Sequence, residues 1–576
     1  MRRFLWVLLS LTVAAVAAMA MLAPPTRARL VVDADARVVR GAMHVHTLNS
    51  DGTGTPGQVA QAAARAGLDF VVLADHGDGT RTPTPPRYVD DVLLVDGVEI
   101  STTGGHYLAL GLGQSPYRLA GEPRDVIEDV ARLGGFGIAA HPDSPKGELS
   151  WREWQAPFEG LEWLNADSAW RDETRDILAR AIVTYWWRRP EVIASLLDRP
   201  VTTLARWDAL NRRRAVIGIA GHDAHARMGS RGDWEPGDGG YRLHMPSYTS
   251  TFRAFSSLVA LAEPLSRRDA GRDAVALLGA IRAGRVTTVI DAVAGPARVG
   301  FSATHSGGIT PMGGEVGPGV DAVLTATIAP AGSGAEIQLL KDGLVVEKSS
   351  ADSISVAHAA QSGPAVYRVE VAWPGAPGSP AVPWIVGNPI RVGFQPPRAS
   401  RPLLPTAQWA RPVPMEHWRV EQHPASVTRL VPTVLTPNNT AHTLSWQLGG
   451  GVPAGQYAAI AVPLPTDFFR GADRVSFTGR SAAPMRVSVQ VRLSATGARW
   501  QRSVALSTSP SDVSVALREL TPVDAEPGTP LDLGGVDAIL VVVDTVNTAP
   551  GSAGEVWISE LRAEGMDDQV RTVRSK

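Results

Sequence analysis

Cysteine is absent from the 576 residues. Its absence excludes disulfide staples and thiolate metal sites, so stability must come from packing, metal ions or both. An excess of either charge is missing too. The chain has 55 Lys and Arg against 57 Asp and Glu, a net charge of -2, and no polycationic surface that would announce nucleic-acid binding. No G-x-S-x-G elbow lies between a strand and a helix, so neither a serine nor a cysteine nucleophile is indicated. No exact internal repeat is visible. The length exceeds what one hydrophobic core fills, and two to four domains are expected.

The chain does have a long apolar start. MRRFLWVLLSLTVAAVAAMAMLAPP combines a basic beginning, an apolar run from Phe4 to Ala23 and a Pro-Pro break. Residues 1–29 read as a signal peptide or a membrane anchor, the run being about as long as a bilayer crossing. The expected location is outside the cytoplasm: periplasmic, extracellular, or anchored and facing outward.

From about residue 38 to 290, apolar strand-like runs alternate with helical stretches. Phe70 to Ala74, Val92 to Val95, Gly137 to Ala140 and Val216 to Ala220 are buried-strand candidates. In TPGQVAQAAARAGL, Thr55 can cap, Pro56 takes the first helical position, Gln58 completes a capping box and Gly67 ends the helix. This is the rhythm of a layered or barrel α/β domain. After Asp291 glycine, proline and short alternating runs take over. AEIQLLKDG and AVYRVEVAW mark a small β domain over 291–395, and residues 396–415 look like a linker. PMRVSVQVRL, DAILVVVDTV and EVWISELRAE describe a second antiparallel sandwich over 416–570.

The chemistry gathers at the ends of the apolar runs. GAMHVHTLNSDG places His44 and His46 on one side of a strand, followed by Asp51. FVVLADHGD ends with Asp75 and His76, LLVDGVEISTTGGHYLAL carries Glu99 and His106, FGIAAHPDSPKG carries His141, and VIGIAGHDAHA carries His222, Asp223 and His225. The carboxyl ends of strands are where α/β domains assemble active sites. A single such residue is more often a cap or a surface group, but eight or nine in succession indicate a metal site. Nitrogen and oxygen ligands suit zinc, manganese or iron, and there are more candidates than one ion can use. Two or three divalent ions bridged by a carboxylate would absorb them.

HVHTLNSDGTGTP, LADHGD, VEIS with His106, AHP and GHDAH, in this order, resemble the PHP (polymerase and histidinol phosphatase) metallohydrolases. The resemblance implies an irregular (β/α)7 barrel with two or three metal ions. It implies His44, His46 and Asp223 on the first ion, with Glu99 bridging to the second. His106 and His141 would complete the second, and Asp51, His76 and His225 would surround the third. It further implies that a hydroxide held between ions attacks phosphorus or a carbonyl carbon, with Glu99 as the bridge and Asp223 or His225 moving the proton. The family often has serine where this chain has His222, which is expected to cap the strand rather than serve the site.

Lys146 and Arg227 lie close enough in sequence to the ligands to meet a phosphate, although each is also an ordinary loop residue. Trp151 and Trp154 are candidates for an aromatic pocket wall or for packing. The export signal, the PHP-like motifs and WIVGNPIRVG are together similar to carbamate and aryl-ester hydrolases of the CehA/McbA type. A phosphoesterase acting on a small mono- or diester is the leading expectation, and a carboxylic or carbamate ester hydrolase is the alternative. A non-catalytic, metal-stabilised envelope binding protein is a third reading. The 291–395 region resembles an immunoglobulin-like sandwich with a structural role. The C-terminal region resembles a galactose-binding-like jelly roll, for which glycan contact through Trp409, Trp418, Trp446 or Trp500 is a candidate function.

Overall fold

The computed structural model describes residues 2–227, 245–395, 406–413, 417–436, 439–450, 455–526 and 528–566. The chain forms two compact units. One comprises Met1–Gly113 with Glu122–Arg398, the other Gln114–Gly121 with Ala399–Lys576.

Local signals act as expected in the helix Pro56–Ala66. The Thr55 hydroxyl accepts the Gln58 N–H at 3.2 Å, the Gln58 side chain accepts the Thr55 N–H at 2.9 Å, and Gly67 closes the helix at φ 75°. Its alanine-rich face lets it lie close to the sheet, against Val45, Val71 and Leu73.

The sheet beneath it runs Val38–Val45, Phe70–Leu73, Val92–Thr102, Gly105–Leu110, Phe136–Ala139, Gly160–Asn165 and Ile217–Gly221. It curls, because the chain leaving the seventh strand bonds back to the first. His222 N–H donates to Met43 O at 2.9 Å, and His46 N–H donates to Ala224 O at 3.1 Å. Met43, Phe70, Leu93, Leu108, Ile138 and Ile219 belong to one buried apolar cluster. This is a mixed α/β region with a curled sheet, but strict strand–helix alternation is lost. Val92–Thr102 runs past the expected Val95 and forms an antiparallel hairpin with Gly105–Leu110. Glu99 therefore sits inside a strand rather than at its end. His106 reaches the same edge from the beginning of the returning strand.

The sheet also crosses the boundary expected at residue 290. Val286–Val289 pairs with Ile385–Gly387, and the Asn388 side chain bonds the backbone of both Gly218 and Val286. Buried Arg368, on Ala365–Ala372, bonds Asp208 at 2.9 Å and Glu370 at 2.5 Å. A second, four-stranded sheet of the β region contains Arg298–His305 and Ala322–Ala329.

The other unit carries two six-stranded antiparallel sheets. Met485, Val487, Val489 and Val491 enter its core in alternation. Trp446 and Trp500 are also core residues, which removes them as glycan platforms, while Trp409 and Trp418 are partly buried against that core. Within the stretch expected as linker, Trp409–Pro412 pairs as a strand with Ala553–Gly565. Residues 396–405 and 414–415 of that stretch lie outside the described residues.

The first helix, Arg2–Leu22, carries the apolar run. Among the described residues no helix is long and apolar enough to cross a membrane, and several side chains of Arg2–Leu22 fall outside that set.

Candidate metal centre

His44 and His46 leave the first strand with their rings on one side, 5.1 Å apart between centroids. Aiming them inward requires unusual backbone. His44, His141 and Asp223 all have positive φ, at 61°, 30° and 46°, a region that costs a non-glycine residue energy and clusters at functional sites.

Glu99 organises the centre. Its Oε1 lies 2.8 Å from His106 Nδ1 and 2.7 Å from His141 Nε2. Its Oε2 faces a different set: His44 Nε2 and His46 Nε2 at 3.3 Å each, and His76 Nδ1 at 3.2 Å. Asp223 Oδ1 is 3.5 Å from His44 Nε2 and 3.2 Å from His46 Nε2. A third group forms where Asp51 Oδ1 meets His225 Nε2 at 3.2 Å and His46 Nδ1 at 3.5 Å, with His76 Nε2 at 3.7 Å from Oδ2.

All nine expected metal ligands thus converge, in overlapping groups whose ligand atoms lie within 4.8 Å of one another. His44 Nε2 and both nitrogens of His46 are buried and have no hydrogen-bond partner. Buried polar atoms are ordinarily satisfied, so three orphaned imidazole nitrogens aimed at carboxylates fit divalent cations. The donor set can hold one or more such ions.

Sequence reasoning missed Glu162. It accepts from His44 Nδ1 at 2.6 Å through Oε1, and from His141 N–H at 2.7 Å and Asn165 Nδ2 at 2.8 Å through Oε2. It therefore fixes the tautomer that leaves His44 Nε2 free to ligate, the usual job of a carboxylate behind a metal-binding histidine. Gly221 makes room for it, since a Cβ there would lie 2.0 Å from Glu162 Oε1. Asp75 also supports rather than ligates. It accepts from Thr47 N–H, Thr47 Oγ1 and Ser50 Oγ at 2.6–2.7 Å, ordering the loop that presents Asp51.

The electrostatics follow from this packing. Burial raises the Glu99 pKa, but His44 and His76 outweigh it and hold the carboxyl well below its ordinary value. Burial lowers His44, yet Glu162, Asp223 and Glu99 carry it well above its ordinary value. His141 and His225 are each held up at about 9 against burial, chiefly by Glu99 and Asp51 respectively. His76, where burial dominates, falls to about 4.

His222 stays out of the cluster. Its Nε2 faces Phe255 O at 3.0 Å, its Nδ1 faces the Met43 backbone at 3.3 Å, and its ring stacks on Phe255 at 4.1 Å. It ties the strand Val38–Val45 to Phe255 beside the site rather than capping a strand.

A cavity of about 420 Å³ opens over the cluster. Lys146, Arg171 and Arg227 supply its cationic lining, and Leu149, Leu178, Ile182, Tyr185, Val192 and Leu196 much of its apolar wall. Arg227 is committed to Asp51 at 2.6 Å. Arg171 is bound to Asp167 at 2.7 Å. Trp151 and Trp154 do not line this cavity: Trp151 is buried against Tyr107 and Phe158, and Trp154 stacks with Arg206 at 4.6 Å.

No family model matches the chain. An uncharacterized protein of Methanocaldococcus jannaschii is 27% identical over 168 residues, covering 25% of this chain and 96% of its own. A two-domain protein from Bacteroides vulgatus containing a predicted PHP-like metal-dependent phosphoesterase is 14% identical, over 64% of this chain and 99% of its own, at a TM-score of 0.26. A family 11 carbohydrate-binding module from Clostridium thermocellum, in complex with a mixed-linked tetrasaccharide, is 13% identical over 27% of this chain and 91% of its own, at a TM-score of 0.22. Likenesses of that size decide neither fold nor chemistry. The converging side chains show a site able to hold one or more divalent metal ions, which in general terms is the equipment of a metal-dependent hydrolase.

Proposed function

We propose that this protein is an exported metal-dependent hydrolase, most closely fitting a phosphoesterase that acts on a small mono- or diester. The observation that carries the hydrolase reading is Glu99, whose two oxygens face two different sets of imidazole nitrogens, the arrangement a bridging ligand requires. When bound, two or three zinc, manganese or iron ions supply an acidified water and neutralise charge on the substrate oxygen. His44, His46 and Asp223 would hold one ion, Glu99, His106 and His141 a second, and Asp51, His76 and His225 a third. Glu162 orients His44, and Arg227 fixes Asp51.

Proton movement falls to Asp223 and His225, which both line the cavity, with His225 Nδ1 3.6 Å from Asp223 Oδ1 and held by the Asp223 backbone carbonyl at 2.8 Å. Lys146 favours phosphate, because among the described residues its ammonium makes no ion pair while it lines the cavity. Arg227 would meet phosphate only by sharing itself with Asp51. The apolar wall favours a second reading, hydrolysis of a carboxylic or carbamate ester of the CehA/McbA kind. For glycan contact by the C-terminal unit, as a partner interaction, Trp409 and Trp418 are the two of the four tryptophans that remain.

The test is turnover of a nitrophenyl phosphodiester, a phosphomonoester and a naphthyl carbamate by protein purified without chelator. The phosphoesterase reading predicts preference for a phosphate, and a Lys146→Ala variant that loses kcat/KM on phosphates far more than on the carbamate. Preference for the carbamate, with Lys146→Ala silent, would replace that reading with the second.

A further inference from the structure

We infer that the helical cap over this cavity docks on a lipid bilayer, which makes the cavity mouth an entrance for substrates bearing an apolar group. The inference rests on the reading of the cavity as the hydrolytic site and of Arg2–Leu22 as a segment retained by the mature protein.

The cap helix Arg175–Thr184 and the turn after it place Leu178, Ala181, Ile182 and Tyr185 toward the cavity, the i, i+3, i+4, i+7 pattern of an inward face. The opposite side should then be wholly polar, yet beside Asp176 and Arg180 it also presents apolar side chains. Ile177, Val183, Trp186 and Trp187 are exposed, Val183 by 50% and Trp186 by 62%. A helix apolar on both sides needs a cover on both.

The nature of the cover is indicated by what is tied to it. Arg180 Nε donates to Leu22 O at 2.6 Å, and Arg188 donates to Pro24 O, so the end of the first helix is fastened to this cap. Among the described side chains of that helix, Phe4, Trp6, Val13 and Met21 are apolar and exposed. Whatever medium receives it also meets the cap. The contact needed is insertion into the bilayer surface, not a crossing.

The cap's own chemistry fits a membrane interface. Arg175 to Pro190 contains four arginines and a single acid, Asp176. Arg189 lies over the ring of Trp186 at 5.0 Å. Tryptophan beside arginine, with apolar neighbours below, is the composition of the headgroup boundary. A second copy of the chain is a poorer cover, because a two-fold contact through this face would bring Arg180, Arg188 and Arg189 near their own equivalents. Ile182 is both exposed and part of the cavity wall, so the docked face and the entrance are continuous.

The absence of cysteine makes the test clean. Val183→Cys and Trp187→Cys, and as a remote control Leu344→Cys, are each labelled with an environment-sensitive fluorophore in the full chain. The samples are mixed with phosphatidylethanolamine/phosphatidylglycerol vesicles carrying bilayer-embedded spin labels. Mass spectrometry of the same samples records whether residues 2–22 are present, and turnover of a soluble ester records the active site. The expected result is co-flotation, with loss of emission at residues 183 and 187 and none at residue 344. Co-flotation without loss at 183 and 187 overturns the proposal. Absence of flotation overturns it too, as does shielding of both labels by a dimer formed without lipid. Preserved turnover in any of these cases leaves the hydrolase reading intact, and its loss with normal docking would count against that reading alone.

Discussion

Replacing Glu162 by glutamine should weaken metal binding without disturbing the fold. Glu162 offers one oxygen to His44 Nδ1 and the other to His141 N–H and Asn165 Nδ2. Glutamine keeps the shape but has one oxygen. If that oxygen stays with the two donors, the new NH2 faces His44 Nδ1, which must then accept, and the ring proton moves to Nε2. Nε2 is the atom aimed at Glu99 and Asp223, and a protonated nitrogen cannot ligate. The reverse orientation instead sets an NH2 against two buried donors, at a cost of roughly 1–3 kcal/mol. Losing a carboxylate behind a metal-binding histidine typically costs about 10–100-fold in affinity. The fold-loss corresponds to about 1.4–2.8 kcal/mol. Titration of chelated protein against a competing chromophoric chelator measures it, with a thermal melt in chelator as the check on folding. Equal affinity in wild type and Glu162→Gln, at unchanged melting, would refute the orienting role.

Two further outcomes follow from the same geometry. Gly221→Ala should displace Glu162, because its Cβ would sit 2.0 Å from Oε1, and should lower both metal affinity and melting temperature; a neutral variant by chelator titration would mean that Glu162 has room to move. Metal affinity should rise with pH from about 6.5 to about 9, since His141 and His225 are held up at about 9 by Glu99 and Asp51 against burial and must lose a proton to ligate. The sign reverses for the chelated protein. These raised imidazoles stabilise the fold fully below their unfolded pKa near 6.5, and that stability is lost as pH rises through about 9, so melts in chelator should fall over the same interval while metal affinity climbs. Parallel trends in the two series would contradict it.

The centre was largely legible because its ligands are chemical types that stand out against apolar runs. His44 and His46 alternate on a strand, and GHDAH follows an unbroken apolar stretch. Glu162 was hidden for the converse reason. It lies inside GLEWLN, every residue of which is buried, and a lone charge in mid-strand was the signal to follow. Glu99 and His106 were legible as residues but not their setting, since the two glycines of TTGGHY turn the chain into a hairpin and leave Glu99 inside a strand rather than at its end. Arg227 reads as a loop cation, and only the folded chain brings it to Asp51, 176 residues away in sequence. The tryptophans of the C-terminal unit had no register in the sequence reading, so Trp446 and Trp500 could not be told from surface platforms. The cap escaped notice because its apolar residues follow no single face.

Metal content and turnover, measured together in wild type and Glu99→Ala, test the central claim most directly. Glu99 reaches both sets of nitrogens, so its loss should lower bound metal below the wild-type amount and abolish hydrolysis while circular dichroism stays unchanged. Wild-type metal content and undiminished turnover in a folded Glu99→Ala protein would contradict a bridged metal centre as the source of activity.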